Sequence, residues 1–337
     1  MRRSTRHGAR PAFAEMSSIA IFVLRRLAMI VVALFVLSLV IFVLLRAIPG
    51  NPTTLLAGLS GGATNEQITV LKHELGLDQS LSTQYWIWLR HAVVGNFGRS
   101  YFSNVVTTSL ITSRVGATVE LMIAAVILGV LISVVTALVC ALRPSRVLNR
   151  FVVTGATVGI AMPAAWLGLL LILGFSVKLR VFPTRGYTSI ISHPIAGLRY
   201  LVLPAVTLAV GLAAPLVRFL RTSLAEELGA DYVLAARGKG LRWRAAVIRH
   251  ALPNSLLPAL NFLGIIAGSL LGGVVVVEYV FGWPGLGSLA LNAVLERDYV
   301  VLQAVVMFAA AAFMVTTLLV DLLSMTLDPR LRRAVVH

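Results

Sequence analysis

Long uncharged runs alternate along this chain with shorter basic or polar stretches. Six runs carry no Asp, Glu, Lys or Arg: Leu27 to Leu45, Leu121 to Leu142, Phe151 to Val177, Tyr200 to Val217, Ala251 to Val277 and Tyr299 to Val320. A helix needs about 20 apolar residues to cross a hydrocarbon core of about 30 Å. Barrel strands would be short and alternating, whereas these runs are continuous. The pattern predicts an all-α membrane protein with six transmembrane helices, over 27–48, 117–142, 151–178, 200–220, 255–281 and 300–322. Residues 1–26 would form a basic N-terminal segment, 49–115 an extracytoplasmic segment, 221–252 a long loop and 326–337 a tail.

Composition excludes a soluble domain. Of 337 residues, 58% are hydrophobic and 12% charged, and the mean hydropathy is +0.91. A net charge of +16 invites a nucleic-acid reading, but its distribution follows topology. With the N-terminus inside, 19 Lys and Arg fall on the inner side and 10 on the outer. The positive-inside rule therefore places both termini and the long loop in the cytoplasm. Cys140 is the single cysteine, so no intrachain disulfide forms, and the six histidines show no metal-ligand spacing. Met1 to Glu15, with Pro11, is expected to be disordered, and Met16 offers an alternative start.

Between the spans, Ile48-Pro49-Gly50-Asn51-Pro52 stops the first helix, and Asn65 is placed to cap a short one. Trp86 and Trp88 read as interfacial anchors. Gly264, Gly268 and Gly272, four apart, form a smooth strip for close helix packing, as does Gly155-x-x-x-Gly159. Pro163, Pro204 and Pro215 are candidate kinks.

The 221–252 loop is too long and too basic for a simple connector. Ser223 and Glu226 have capping-box spacing, and Leu224, Leu228 and Tyr232 would share a helix face. Gly238 and Gly240 predict a turn, and Trp243, Val247 and Ile248 a second apolar cluster. A helix-turn-helix knob with a basic rim of Arg237, Lys239, Arg242, Arg244 and Arg249 suits a groove on a cytosolic protein, with Trp243 and Tyr232 as anchors. A helix lying on the anionic inner leaflet is the alternative.

Asp231-Tyr232-Val233, Ala236-Arg237, Lys239-Gly240 and His250-Ala251-Leu252 resemble the loop of permeases in the dipeptide/oligopeptide/nickel branch of ATP-binding-cassette (ABC) importers. Leu234, Ala235 and Gly238 depart from that version. The broader importer motif matches Ala235-Ala236, Gly240 and Leu252-Pro253. Arg25-Arg26-Leu27, Leu75-Gly76-Leu77-Asp78, Gly95 to Ser100, Glu278 through Phe281 to Gly287, Arg297-Asp298-Tyr299 and Asp328-Pro329-Arg330 resemble the first of the two permease types in peptide systems. The resemblance implies a type I ABC importer permease fold with cytoplasmic termini. It implies import of short peptides, with nickel chelates as the alternative. It also implies a heterodimer with a related permease, two ABC ATPase subunits and an extracytoplasmic substrate-binding protein, with no nucleic acid. The ATPase-coupling residues would be Asp231, Tyr232, Ala235, Ala236, Arg237, Lys239, Gly240, Trp243, His250, Leu252 and Pro253.

The chain has no Gly-x-x-x-x-Gly-Lys-Ser/Thr phosphate cradle and no catalytic constellation. It is therefore expected to be no enzyme and to bind no cofactor, ATP and Mg being used by its partners. A stand-alone ion-coupled carrier would instead place acids or His at mid-span. Acids here sit near span ends. Glu120 and Glu278 are candidates for a translocation path or outer gate with Phe281, Trp283 and Pro284, or else snorkel to the outer interface or pair with Arg114 or Arg297. Asp321 and Arg218 are expected in structural ion pairs.

Overall fold

A computed structural model describes residues 12–47, 69, 73 and 78–327. The expectations at 48–52, Asn65, 75–77 and 328–337, and those for 1–11, lie outside the described residues. Eleven helices are described: α1 (Ala12–Ala47), α2 (Leu81–Val93), α3 (Thr107–Leu142), α4 (Arg146–Ala161), α5 (Ala164–Leu171), α6 (Pro194–Leu228), α7 (Asp231–Gly238), α8 (Trp243–Ala246), α9 (Leu252–Phe281), α10 (Leu286–Leu295) and α11 (Tyr299–Leu327). Wider π-type turns extend α5 over Ile172–Lys178 and join α8 to α9 over Val247–Ala251. No strand occurs among the described residues.

Four helices contain segments long and apolar enough to cross a membrane: Ile21–Ala47, Thr107–Leu142, Pro194–Leu228 and Tyr299–Leu322. Two bent pairs raise the count to six: Arg146–Ala161 with Ala164–Lys178, bent by 108°, and Gly272–Phe281 with Leu286–Leu295, bent by 81°. The 151–178 run is therefore not one straight helix. Pro163 lacks the N–H that would continue α4, and the backbone breaks at Met162 and Pro163. Pro204 and Pro215 lie inside α6, which runs on without a break.

Several helices outrun the uncharged runs. α3 begins at Thr107, ten residues before 117, and α11 reaches Leu327, into the expected tail. α1 starts at Ala12, so Phe13 to Glu15 are helical rather than disordered. α6 absorbs residues 221–228, with Ser223 and Leu224 buried inside it. Ser223 thus starts no helix, and Gly229 separates Leu224 and Leu228 from the face that carries Tyr232. Charge-free windows miss these extensions because helices continue past the hydrocarbon boundary into polar sequence.

The core forms where α6 meets α3 and α9. Two thirds of the apolar window of α6 is buried, against 11% for α1 and for α11. Leu121, Ala125, Gly129, Ser133 and Ala137 recur every fourth residue on α3 and are all buried. A Cβ on Gly129 would lie 2.5 Å from Leu212 Cδ2. Beside it, Ser133 Oγ donates 2.7 Å to Gly129 O and also reaches Ala213 O at 3.3 Å. The exposed, wholly apolar flanks of α1 and α3 suit a lipid solvent, in which such surface carries little cost.

The glycine strip on α9 is only partly used. A Cβ on Gly264 would lie 2.8 Å from Val320 Cγ1, and one on Gly268 2.9 Å from the Phe313 ring, both on α11. At Gly272 nothing lies within 4 Å, and the adjacent Gly273 approaches Leu208 instead. Likewise Gly159 packs on Ala214, while Gly155 faces open space.

Gly197, near the start of α6, is pressed against backbone. A Cβ there would lie 2.7 Å from both N and Cα of Ile190, and backbone atoms have no rotamer to retreat into. Gly197→Ala is expected to cost about 1–3 kcal/mol. A fall in the thermal unfolding temperature of the detergent-purified chain checks this, with Gly155→Ala unchanged as control.

Candidate functional site

Contacts group the helix ends into two. At one end lie Ala141 of α3, Asn149 of α4, Arg221 of α6 and all of 229–251. At the other lie the start of α3, the start of α6 and the turn between α9 and α10.

At the first end, Gly229 and Ala230 separate α6 from α7. Gly240 then turns the chain at φ +91°, a conformation L side chains rarely adopt. Val233, Ala246, Val247 and Ala251 are fully buried and root the segment in the bundle. Around them, Asp231, Leu234, Ala235, Arg237, Lys239, Gly240, Arg242, Arg244, Ile248 and Arg249 are exposed. The surface is a basic knob with a small apolar patch. Ala236 and His250 are half-buried, Pro253 is exposed, and Leu252 packs on the core.

Trp243 does not project as a free docking anchor. Its Nε1 donates 3.2 Å to Ala141 O in the last turn of α3, and the Arg237 guanidinium sits 5.0 Å above its ring. The last four carbonyls of a helix lack intrahelical donors, and the indole fills one such vacancy. Tyr232 is 41% exposed, but its hydroxyl bonds to Glu227 and accepts from Asn254 Nδ2 at 2.9 Å. Burial, with the Glu227 bond adding to it, pushes the Tyr232 phenol above its ordinary pKa. Arg221 bonds to Asn149, linking α6 to α4. The knob is thus tied to α3, α6 and α9 by side-chain bonds from its two aromatic residues.

At the opposite end, residues 117–120 of α3 hold two loops. Trp283 is completely buried and its Nε1 donates 2.8 Å to Ala117 O. Thr118 Oγ1 donates 2.7 Å to Glu278 Oε1 and accepts from Leu286 N at 2.8 Å. Glu278 Oε2 accepts from Ser288 N at 2.8 Å. That N–H belongs to the first turn of α10, whose orphan donors and positive dipole end favour a carboxylate. Glu278 therefore caps α10 from the end of α9, across the 81° bend. Glu120 accepts from Tyr187 OH at 3.0 Å and Ile190 N at 2.8 Å. Tyr187 in turn meets Trp283 edge-on, with ring centres 4.7 Å apart. Burial and the bond to Glu120 push the Tyr187 phenol up, against a lowering bond from Ser189.

Within the chain, the candidate path residues are engaged as follows. Glu278, Phe281 and Trp283 are buried, Pro284 is half-buried, and Phe281 packs over Gly168. Both acids are taken up by hydroxyl and amide donors, and neither forms an ion pair with Arg114 or Arg297. Acids near a span end are satisfied here by the N–H groups of adjoining loops rather than by a cation. Asp321 does form an ion pair, but with Arg26 of α1 at 2.7 Å, not with Arg218.

Residues 129–333 match the family model for the inner membrane component of binding-protein-dependent transport systems, and residues 19–122 match that for the N-terminal part of the same membrane component. The chain belongs to this family. The glutathione transport system permease protein GsiC of Escherichia coli strain K12 is 36% identical over 311 residues, 92% of this chain and 98% of the relative. The probable peptide ABC transporter permease protein y4tP of Sinorhizobium fredii strain NBRC 101917 / NGR234 is 34% identical over 312 residues, 93% and 99% of the two. A crystal structure of an amino acid ABC transporter with histidines covers 66% of this chain and 94% of its own, at 18% identity and a TM-score of 0.47.

The protein is thus a multi-pass permease subunit of an ABC importer in a bacterial inner membrane. It is not itself an enzyme, since ATP is hydrolysed by separate subunits of the complex. An ion-coupled carrier acting alone is replaced by this reading, and the nickel alternative is not favoured by the relatives.

Sequence reasoning missed α10 and the role of Thr118. The run Leu286 to Leu295 is apolar enough to mark a helix, but its proximity to α3 is not local information. The Trp88 ring contacts Phe42 of α1 and Tyr85. Tyr85, buried and bonded to Ser38 at 2.8 Å, fastens α2 to α1.

The Trp243 bond makes a separable prediction. Trp243→Phe keeps an aromatic ring but removes the donor to Ala141, at a cost of about 1 kcal/mol. ATP-driven uptake by the assembled complex is expected to fall several-fold with assembly retained, whereas Ile248→Ala beside it leaves the bundle contacts intact.

Proposed function

We propose that this chain forms part of the path for short peptides, glutathione-like tripeptides among them, in an ATP-driven importer. The full-length similarity to permeases named for glutathione and for peptides carries this reading. Both termini and the 229–251 knob face the cytoplasm, in accord with the excess of Lys and Arg there. A second, related permease completes the path. Two ABC ATPase subunits bind the knob, and an extracytoplasmic binding protein delivers substrate at the opposite end. ATP and Mg stay with the ATPases, and this chain binds no cofactor.

The knob transmits motion as a rigid body. Its buried roots and its bonds to α3, α6 and α9 let a displacement of 231–249 move three helices together. An apolar patch ringed by arginines suits a groove with an acidic rim.

Uptake of labelled glutathione and of a labelled tripeptide by vesicles carrying the whole complex tests the substrate class. ATP-dependent accumulation of either, competed by unlabelled short peptides, is expected. Accumulation of a nickel chelate with no competition by peptides would overturn the peptide reading.

A further inference from the structure

A cleft of about 580 Å³ opens where the π-type turn after α5 meets the start of α6, lined by residues that include Ser176, Arg180, Phe182, Thr184, Arg199 and Tyr200. Arg180 and Arg199 both face it, and no acidic side chain lines it. Neither arginine forms an ion pair or a hydrogen bond with a described residue. The acids on neighbouring elements are already engaged: Glu120 by Tyr187 and Ile190, and Glu278 by Thr118 and Ser288. Two cations therefore share one concavity without a protein counterion.

The backbone around Arg180 is held in place. Arg180 has φ +53°, unusual for a residue with a side chain, between N–H bonds from Leu179 to Gly174 O and from Val181 to Phe175 O. Ser176 Oγ donates to Pro183 O and closes the loop beneath it. The surface flanking the cleft is apolar: Leu179 is 62% exposed and Ile195 83%, with Val181 and Leu198 beside them. Cations in a cleft with exposed apolar neighbours, at the end of membrane-crossing helices, match a ligand with an anionic head and hydrocarbon chains.

We propose that this cleft holds the headgroup of an anionic phospholipid, its phosphate between Arg180 and Arg199 and its chains along Leu179 and Ile195. The site lies outside the 229–251 knob and does not depend on the identity of the transported solute.

The test uses the assembled complex in vesicles of equal parts phosphatidylglycerol and phosphatidylcholine, followed by mass measurement of lipid retained on extraction. Wild type is expected to retain phosphatidylglycerol over phosphatidylcholine. R180Q/R199Q is expected to lose that preference by about thirtyfold, as removal of two interfacial cations at about 1 kcal/mol each implies. R90Q/R150Q, which removes the same charge elsewhere, is expected to keep it. On wild type alone, short-chain phosphatidylglycerol should displace the retained lipid while inorganic phosphate at the same concentration should not. Equal retention of both lipids by wild type, an unchanged preference in R180Q/R199Q, or displacement by inorganic phosphate would each overturn the proposal.

Discussion

Replacing Gly240 with proline is expected to reduce ATP-driven uptake by more than tenfold while leaving the chain in the membrane. Gly240 sits at φ +91°, and proline is confined near −65°. Its N–H also donates 2.9 Å to Arg237 O, a bond proline cannot make. The turn must therefore open, at a cost of about 3 kcal/mol or more. Leu241 N–H, 3.2 Å from Ala236 O, moves with it, and Trp243 leaves Ala141. Gly240 is exposed and has nothing within 4 Å of a Cβ position, so expression and helical content should persist. Gly240→Asn, which tolerates a left-handed backbone, should retain most activity. Gly238→Ala should be silent, because Gly238 ends α7 without a positive φ and has nothing within 4 Å. Uptake and co-purification of ATPase subunits, measured on the three variants, check the ordering.

The second large effect is expected at Glu278. Glu278→Leu strands the Ser288 N–H and the Thr118 hydroxyl in a dry interior, each at about 1–3 kcal/mol. Gly285→Ala attacks the same place from the other side, since a Cβ there would lie 1.9 Å from Glu278 Oε1. Both should sharply lower the thermal stability of the purified chain and its yield. Glu278→Gln, which keeps an acceptor for α10, should be much milder. A variant series in which Glu278→Gln loses uptake at full stability, while Glu278→Leu stays folded, would return Glu278 to the substrate path.

The spans were legible because length and apolarity are local properties. A window of sequence suffices to find them, and Pro163 even marked where one would break. The 108° at that break was not legible, because proline stops a helix without dictating its new direction. The hydrogen-bonded setting of Glu278 was not legible for a related reason. Its partners are 160 and 10 residues away, and only the folded chain shows that a hydroxyl on α3 and an amide on α10 reach one carboxylate. The partners of Glu120, about 70 residues distant, were hidden in the same way.

The knob was the most legible functional feature, because charge, glycine and aromatic residues are concentrated within about 30 positions there. Its turn lies where Gly240 indicated. Its start does not, since α6 runs on to Leu228 and the capping pattern at Ser223 was a coincidence of spacing. Trp243 fitted an exposed anchor by residue type. The missing consideration was the unfilled carbonyls at the end of α3, which any nearby indole would satisfy. Asp321 could have been matched to Arg26 only by knowing that α1, rather than α6, lies against that part of α11.

On this reading the permease moves solute only when ATPase subunits act on the 229–251 knob. Reconstitution addresses it directly. Vesicles containing the chain with its companion permease, ATPases and binding protein should accumulate labelled short peptide on addition of ATP. Vesicles containing the same permeases without ATPases, or the complete set with residues 231–244 deleted, should not rise above equilibrium. Concentrative uptake by the deletion variant, or by the permeases alone under an ion gradient, would show that the knob does not couple transport to ATP.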